Sequence, residues 1–171
     1  MALGGQTADW RNHGDRQNST STLGWLGFRP PPPCCAFFHT KDEEYNVLLP
    51  FIKEGFDHGD KACHIVESEH RPEHRRRLQA AGIDVATAER NGQLEIRAWE
   101  EAYLRDGYFN QDRMLALIEE VLTRGKTQGY RLTRLVANME WALEDRPGVG
   151  EIVEYETRLN YVLPKYDDAV C

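Results

Sequence analysis

Beyond a run of four prolines at positions 30–33, apolar runs of strand length alternate with segments of helical period, and this alternation most constrains what the chain can fold into. Parallel strands need long crossovers, usually helices, so the pattern predicts an α/β fold with a mostly parallel sheet flanked by helices. At 171 residues the chain has the size of one ordinary domain, so a single core is expected. Residues 1–33 divide from the rest. They are rich in Gly, Asn, Ser and Thr without an apolar period, which predicts a disordered tail, and the prolines force about one turn of extended polyproline conformation. The folded unit is expected over 34–171.

Within that unit, 34–39 (CCAFFH) is short and apolar throughout, as expected of a strand buried on both faces. Thr40 and Glu43 fit a capping box that opens a helix. Tyr45, Leu48, Leu49, Ile52 and Phe56 then fall on one helical face, with Pro50 predicting a loosened turn around 46–50. Residues 62–67 read as the second strand, 72–81 as a helix that stops at Gly82, and 85–91 as a short turn. The third strand is expected at 94–98 and the fourth at 132–139. Between them, a helix over 111–124 enters at Asn110 and buries Met114, Ile118, Val121 and Leu122. A last helix at 151–163 turns Ile152, Tyr155, Leu159 and Val162 inward, and a fifth strand begins near 168.

Charge narrows the function classes. Lys and Arg total 21 against 28 Asp and Glu, a net charge of −7 that repels a phosphate backbone, so no nucleic-acid partner is expected. The basic run at 70–77 (HRPEHRRR) spreads over more than one helix face and reads as solvated or paired with the acidic surplus. No apolar stretch approaches the roughly 20 residues that span a bilayer, and the start of the chain does not read as a secretory signal. A cytoplasmic setting without membrane contact is therefore expected, with Cys34, Cys35, Cys63 and Cys171 as thiols.

A phosphate-binding turn is the first feature to test in an α/β fold, and 39–43 (HTKDE) has no glycine to wrap a phosphate and carries two carboxylates. Gly125-Lys126-Thr127 resembles the end of a Walker A motif but closes a helix instead of opening one. Cys35, Cys63, His39 and His64 would converge if the first two strands were neighbours, leaving open a Cys/His-dependent enzyme or simply packed core thiols. Neither cysteine pair has a familiar zinc spacing, so no metal and no cofactor is expected. Parallel sheets gather ligands at the carboxyl ends of their strands. The residues there include His39, Thr40, Glu67, Trp99, Asn138, Glu140 and Trp141. With Cys35 and His64 they make up the candidate ligand-binding set, although Trp141 could equally close the end of the core.

The segments CCAFFHTKDEEYNVLLPFIKEGFDHGDKACHIV, AAGIDV, NGQLEI, EAYLRDGYF, MEWALEDRPG and YETRLNYVLPKYDD, in this order and spacing, resemble the MEDS domain, the DcmR-type sensory domain of methanogens and methylotrophs. The likeness covers about 34–171. It implies a RecA-like or KaiC-like α/β fold without a phosphate loop, serving regulation through small hydrocarbon-derived ligands. The family's first strand usually opens with His-x-Cys; Cys35 matches the Cys, and Pro33 stands in place of the His. The family pattern also continues past Cys171, so a shortened last strand and an open sheet edge are expected.

These readings predict a non-catalytic sensory or regulatory domain that binds a small organic ligand and signals by conformational change or by contact with a regulatory protein or a second copy of itself. The alternatives are the Cys/His-dependent enzyme and an interaction module that pairs through its sheet edge and takes no small ligand.

Overall fold

The computed structural model describes residues 36–166 and the short strand 169–170. The tail, the proline run, Cys34, Cys35 and Cys171 lie outside the described residues. The elements are α1 (Lys41–Asp57), β1 (Lys61–Val66), α2 (Arg71–Ala80), α3 (Val85–Arg90), β2 (Leu94–Ala98), α4 (Gln111–Thr127), β3 (Thr133–Ala137), α5 (Ile152–Val162) and β4 (Ala169–Val170). One 3-10 turn follows β1, two follow β2 and one follows β3, and one stands on each side of α5. The strands form one parallel sheet in the order β2-β1-β3-β4. The α/β class, the parallel pairing and the helical cover are thus as the alternation predicts.

The predicted strand at 34–39 does not form over its described part. Residues 36–38 have no regular structure, His39 and Thr40 bend into α1, and Phe37 is 90% exposed. The seat beside Cys63 that this strand would need is filled, because β1 is flanked on one side by β2 and on the other by β3. An apolar run becomes a strand only where a partner and a face to bury are available.

β1 is buried at all six positions, the pattern of a central parallel strand covered on both faces. Cys63 and Ile65 join Leu135 of β3, the inner stripes of α4 and α5, and the rings of Trp99, Tyr103, Phe109, Trp141 and Tyr155 in one apolar cluster. Ala62 and Val66 on the other face pack with Leu94 and Ile96 of β2, Ile52 of α1, Leu78 of α2, and Val85 and Ala88 of α3. The predicted inward residues of α4 are all buried, and so are three of the four in α5, with Ile152 half-buried.

Local chemistry sets the helix ends. Thr40 Oγ1 accepts from the Glu43 N–H at 3.1 Å, and the Glu43 carboxylate reaches back to the His39 N–H at 2.9 Å, so the capping box closes one residue earlier than its usual form. Asn110 caps α4 by accepting from the Arg113 N–H at 2.9 Å. α1 continues through Pro50 to Asp57. Pro50 and Asn46, whose carbonyl it leaves without a donor, are both exposed, so water can serve that carbonyl.

Three charged side chains are buried near the amino ends of the strands. Arg134 donates to Asp60 at 2.9 Å, to Glu54 at 3.0 Å and to the Phe51 carbonyl at 3.0 Å. It packs so closely over α1 that a Cβ at Gly55 would stand 2.6 Å from its Cδ. Lys61 runs its stem past Gly125 and delivers its ammonium to the Gly92 carbonyl at 2.6 Å and Gln128 Oε1 at 2.9 Å. Burial lowers its pKa from the ordinary lysine value.

Candidate functional site

The order β2-β1-β3-β4 makes the chain leave β1 toward one side of the sheet and leave β3 toward the other. In open parallel sheets that reversal opens a crevice at the carboxyl ends of the two strands where it occurs, the usual place for a ligand. A cleft of about 30 Å³ lies there. Val66 and Glu67 at the end of β1 and Asn138 at the end of β3 form its floor, with Lys41, Glu44 and Tyr45 contributed by α1, His70 by the turn after β1, and Glu73 by α2. As it stands the cleft has room for about one water-sized group. A larger hollow of about 180 Å³, lined by Phe56, Asp57, Ile83, Asp84 and neighbours, sits near the opposite ends of the strands, away from the crossover point.

Charged groups lace the cleft shut. Lys41 Nζ bridges Glu44 at 3.1 Å and Glu140 at 2.9 Å, tying the start of α1 to the turn after β3. Glu67 pairs with His70 at 2.8 Å. Asn138 is held by its backbone: its N–H donates to the Ile65 carbonyl at 2.8 Å, and its carbonyl accepts from Trp99 Nε1 at 2.9 Å. Glu73 spends its carboxylate on Arg76 and Arg77, whose hydrogen bonds pull its pKa down to about 2. Among the described residues, Glu67, His70 and Glu140 bring possible metal-ligating atoms within 4.8 Å of one another. Lys41 already brings a positive charge to Glu140 there.

The amino end of α1 is unsuited to an anion. Two of its donors are consumed by Thr40 and Glu43, and its first turn carries Asp42, Glu43 and Glu44. Gly125, Lys126 and Thr127 close α4 and likewise offer no helix start to a phosphate.

Of the residues expected from the sequence, Glu67 and Asn138 line the cleft, and Glu140 stands beside it through Lys41. His39 and Thr40 are exposed and serve the helix cap. Trp99 and Trp141 are 3% and 0% exposed and belong to the aromatic cluster beneath the strand ends, so neither presents a face to the cleft. Trp141 stacks against Tyr103 and Phe109 with ring centres 5.0 Å apart in each case. Cys35 lies outside the described residues. His64 is buried on the α1 and α2 side of the sheet, joined to His74 at 2.8 Å. Cys63 faces the opposite side, and burial pushes its thiol up to about 12. That separation removes Cys63 and His64 as a nucleophile and base, because side chains one position apart on a strand point to opposite faces.

The sequence reading missed Lys41, Tyr45, His70, His74 and the Asp60–Arg134 pair. His74 was hidden in the basic run, although His74 and Leu78, four apart, are the only two buried residues of α2. The rest of that run is paired as expected: Arg71 with Glu101 at 2.6 Å, Arg75 with Glu89 at 2.7 Å and Arg77 with Asp42 at 2.7 Å. Arg71 also donates to the Ile96 carbonyl, and Glu101 accepts from the Ala98 N–H, both at 2.9 Å. Ala62 draws on the Gln93 carbonyl in the β1–β2 ladder, so the groups of Ile96 and Ala98 point to the open side of β2. The Arg71–Glu101 pair therefore occupies part of an edge that another strand could otherwise use.

The sheet thus carries a crevice at its crossover point, edged by charged side chains, and among the described residues neither the turn into α1 nor the end of α4 is built to hold a phosphate. Comparison with known proteins gives the family. The chain belongs to the MEDS family, the methanogen/methylotroph, DcmR sensory domain, whose model matches residues 34–171. It is 28% identical over 130 residues to the transcriptional repressor DcmR of Methylorubrum extorquens, an alignment covering 75% of this chain and 46% of that protein. The chain thus spans less than half the length of this curated relative. No solved structure matches at a significant level. Among the described residues no helix is long and apolar enough to cross a membrane.

Proposed function

We propose that this chain is a non-catalytic sensory domain of the cytoplasm that takes the polar end of a small organic molecule in the cleft between β1 and β3. The observation that carries the reading is the coincidence of that cleft with the crossover point of the sheet, lined by Glu67, Asn138, Lys41 and Tyr45. A cleft of about 30 Å³ holds only a fragment of such a ligand, so binding parts Lys41 from Glu140 and shifts the start of α1 relative to the turn after β3. That shift is the signal: affinity differs between the laced and the parted state, and a regulatory protein or a second copy reads the difference. The family's regulatory role and the repressor relative support this direction.

Thermal unfolding with a library of one-carbon, hydrocarbon-derived and aromatic metabolites tests it. A ligand at 100 times its dissociation constant stabilises by about 2.7 kcal/mol. The gain should vanish in Asn138→Ala. A library without any stabilising compound, or a gain indifferent to Asn138, contradicts the reading.

A further inference from the structure

A short chain of hydrogen bonds starts at the cleft and ends inside the core on an atom without a partner. The Tyr45 hydroxyl bonds His74 Nδ1 at 2.7 Å, and His74 Nε2 bonds His64 Nδ1 at 2.8 Å. His64 Nε2, at the far end, is buried and has no hydrogen-bond partner. The three residues come from α1, α2 and β1, and the two imidazoles are 1% and 3% exposed. The chain pins both helices to the central strand.

Its protons can be counted. A hydrogen bond between two ring nitrogens needs one hydrogen between them. With both rings neutral, each carries one proton, and both hydrogen bonds form whichever way the chain runs, His64 Nε2 being left as an unpaired N–H in one direction and an unpaired lone pair in the other. One proton more leaves an imidazolium against an apolar wall. Two more put a hydrogen on every ring nitrogen, so that His74 Nε2 and His64 Nδ1 face each other as donors across 2.8 Å.

Among the described residues no carboxylate is free to answer a charge on either ring. From α1 the pair meets Tyr45, whose ring is covered by the Arg77 guanidinium at 4.5 Å, and the adjacent Glu44 acts on Tyr45 but is paired with Lys41 at 3.1 Å. From α2 come Arg75, which repels a proton on His74, and Glu73, already committed to Arg76 and Arg77. At the level of His64 the flanking strands present Ile96 and Val136. Arg134, further along β3, is engaged with Asp60 and Glu54, and α3 brings only Val85 and Ala88 to this cluster.

We propose that Tyr45, His74 and His64 form an acid-sensitive clasp that holds α1 and α2 on the sheet at neutral pH and releases them when the rings take up protons. Walls of the cleft come from the starts of these same helices, so release also opens the cleft. The clasp stands whether or not the cleft takes a ligand. Burial, and then the neighbouring Arg75, hold His74 down at about 4; burial, and then His74, hold His64 well below its ordinary value. Both shifts are downward. Their stabilisation is therefore complete above the free-histidine value of about 6.5 and is lost as pH falls from there toward about 4.

Urea unfolding of the full chain at about pH 7 and about pH 5 tests the clasp. Two imidazoles that titrate only when released raise the unfolding constant by roughly several hundredfold over that interval. His74→Gln can keep both hydrogen bonds and removes one titrating ring, so its rise should be roughly twentyfold. Equal pH dependence in the two proteins overturns the proposal. Should the variant not fold, ring-proton NMR of the wild type decides. Two histidine signals that stay neutral to about pH 5 in the folded protein support the clasp, and titration of all observed rings near 6.5 with the fold intact overturns it.

Discussion

The two faces of the sheet differ in the polar groups they bury. One is closed by α4 and α5 over a continuous apolar cluster in which Trp141, Phe109 and Leu122 are fully buried, with the buried Lys61 at its margin, at the amino end of β1. The other, under α1, α2 and α3, buries similar aliphatic residues but admits a histidine pair, a tyrosine hydroxyl and the Asp60–Arg134 ion pair. Apolar packing carries no titrating group and so stabilises without regard to pH, whereas a buried polar network weakens when a change of charge breaks one of its bonds. The first face fixes the fold. The second, whose helices also wall the cleft, is the face on which the proposed ligand and proton responses act.

Substitutions can break or sharpen this contrast. Trp141→Ala empties the centre of the apolar face and should cost about 4 kcal/mol, read by urea unfolding at neutral pH. Asp60→Asn on the polar face leaves the Arg134 guanidinium buried with one anionic partner fewer; it should cost about 3 kcal/mol in the same measurement. Lys41→Met acts at the rim. Lys41 and Glu140 are both substantially exposed, so stability should change by less than about 1 kcal/mol. If ligand entry requires that pair to part, its removal should nevertheless tighten ligand binding. A Lys41 effect as large as that of Trp141 would erase the distinction between the faces.

Much of the fold was legible in the sequence because period and length carry it. The run at 94–98 could be placed at its ends, and Asn110 marked the start of α4, since a side-chain cap is a local signal. The segment 34–39 misled for the complementary reason: its composition suits a strand, but strand formation depends on a partner, and β1 already has two. The candidate site was legible only in part. Strand ends gave Glu67 and Asn138. They also suggested Trp99 and Trp141, which the aromatic cluster draws away from the cleft. Tyr45 and His74 escaped because their meeting depends on how α1 and α2 lie against each other, and no local spacing encodes that.

The central claim is that the crevice between β1 and β3 is where this domain detects a small molecule. Backbone amide NMR of the isotopically labelled chain, titrated with the compounds that raise its unfolding temperature, tests it most directly. The account predicts the largest shifts at Glu67, Asn138 and the first turn of α1, with little change along α4. Saturable binding whose shifts centre on the hollow near Ile83 and Asp84, leaving Glu67 and Asn138 unmoved, would contradict it.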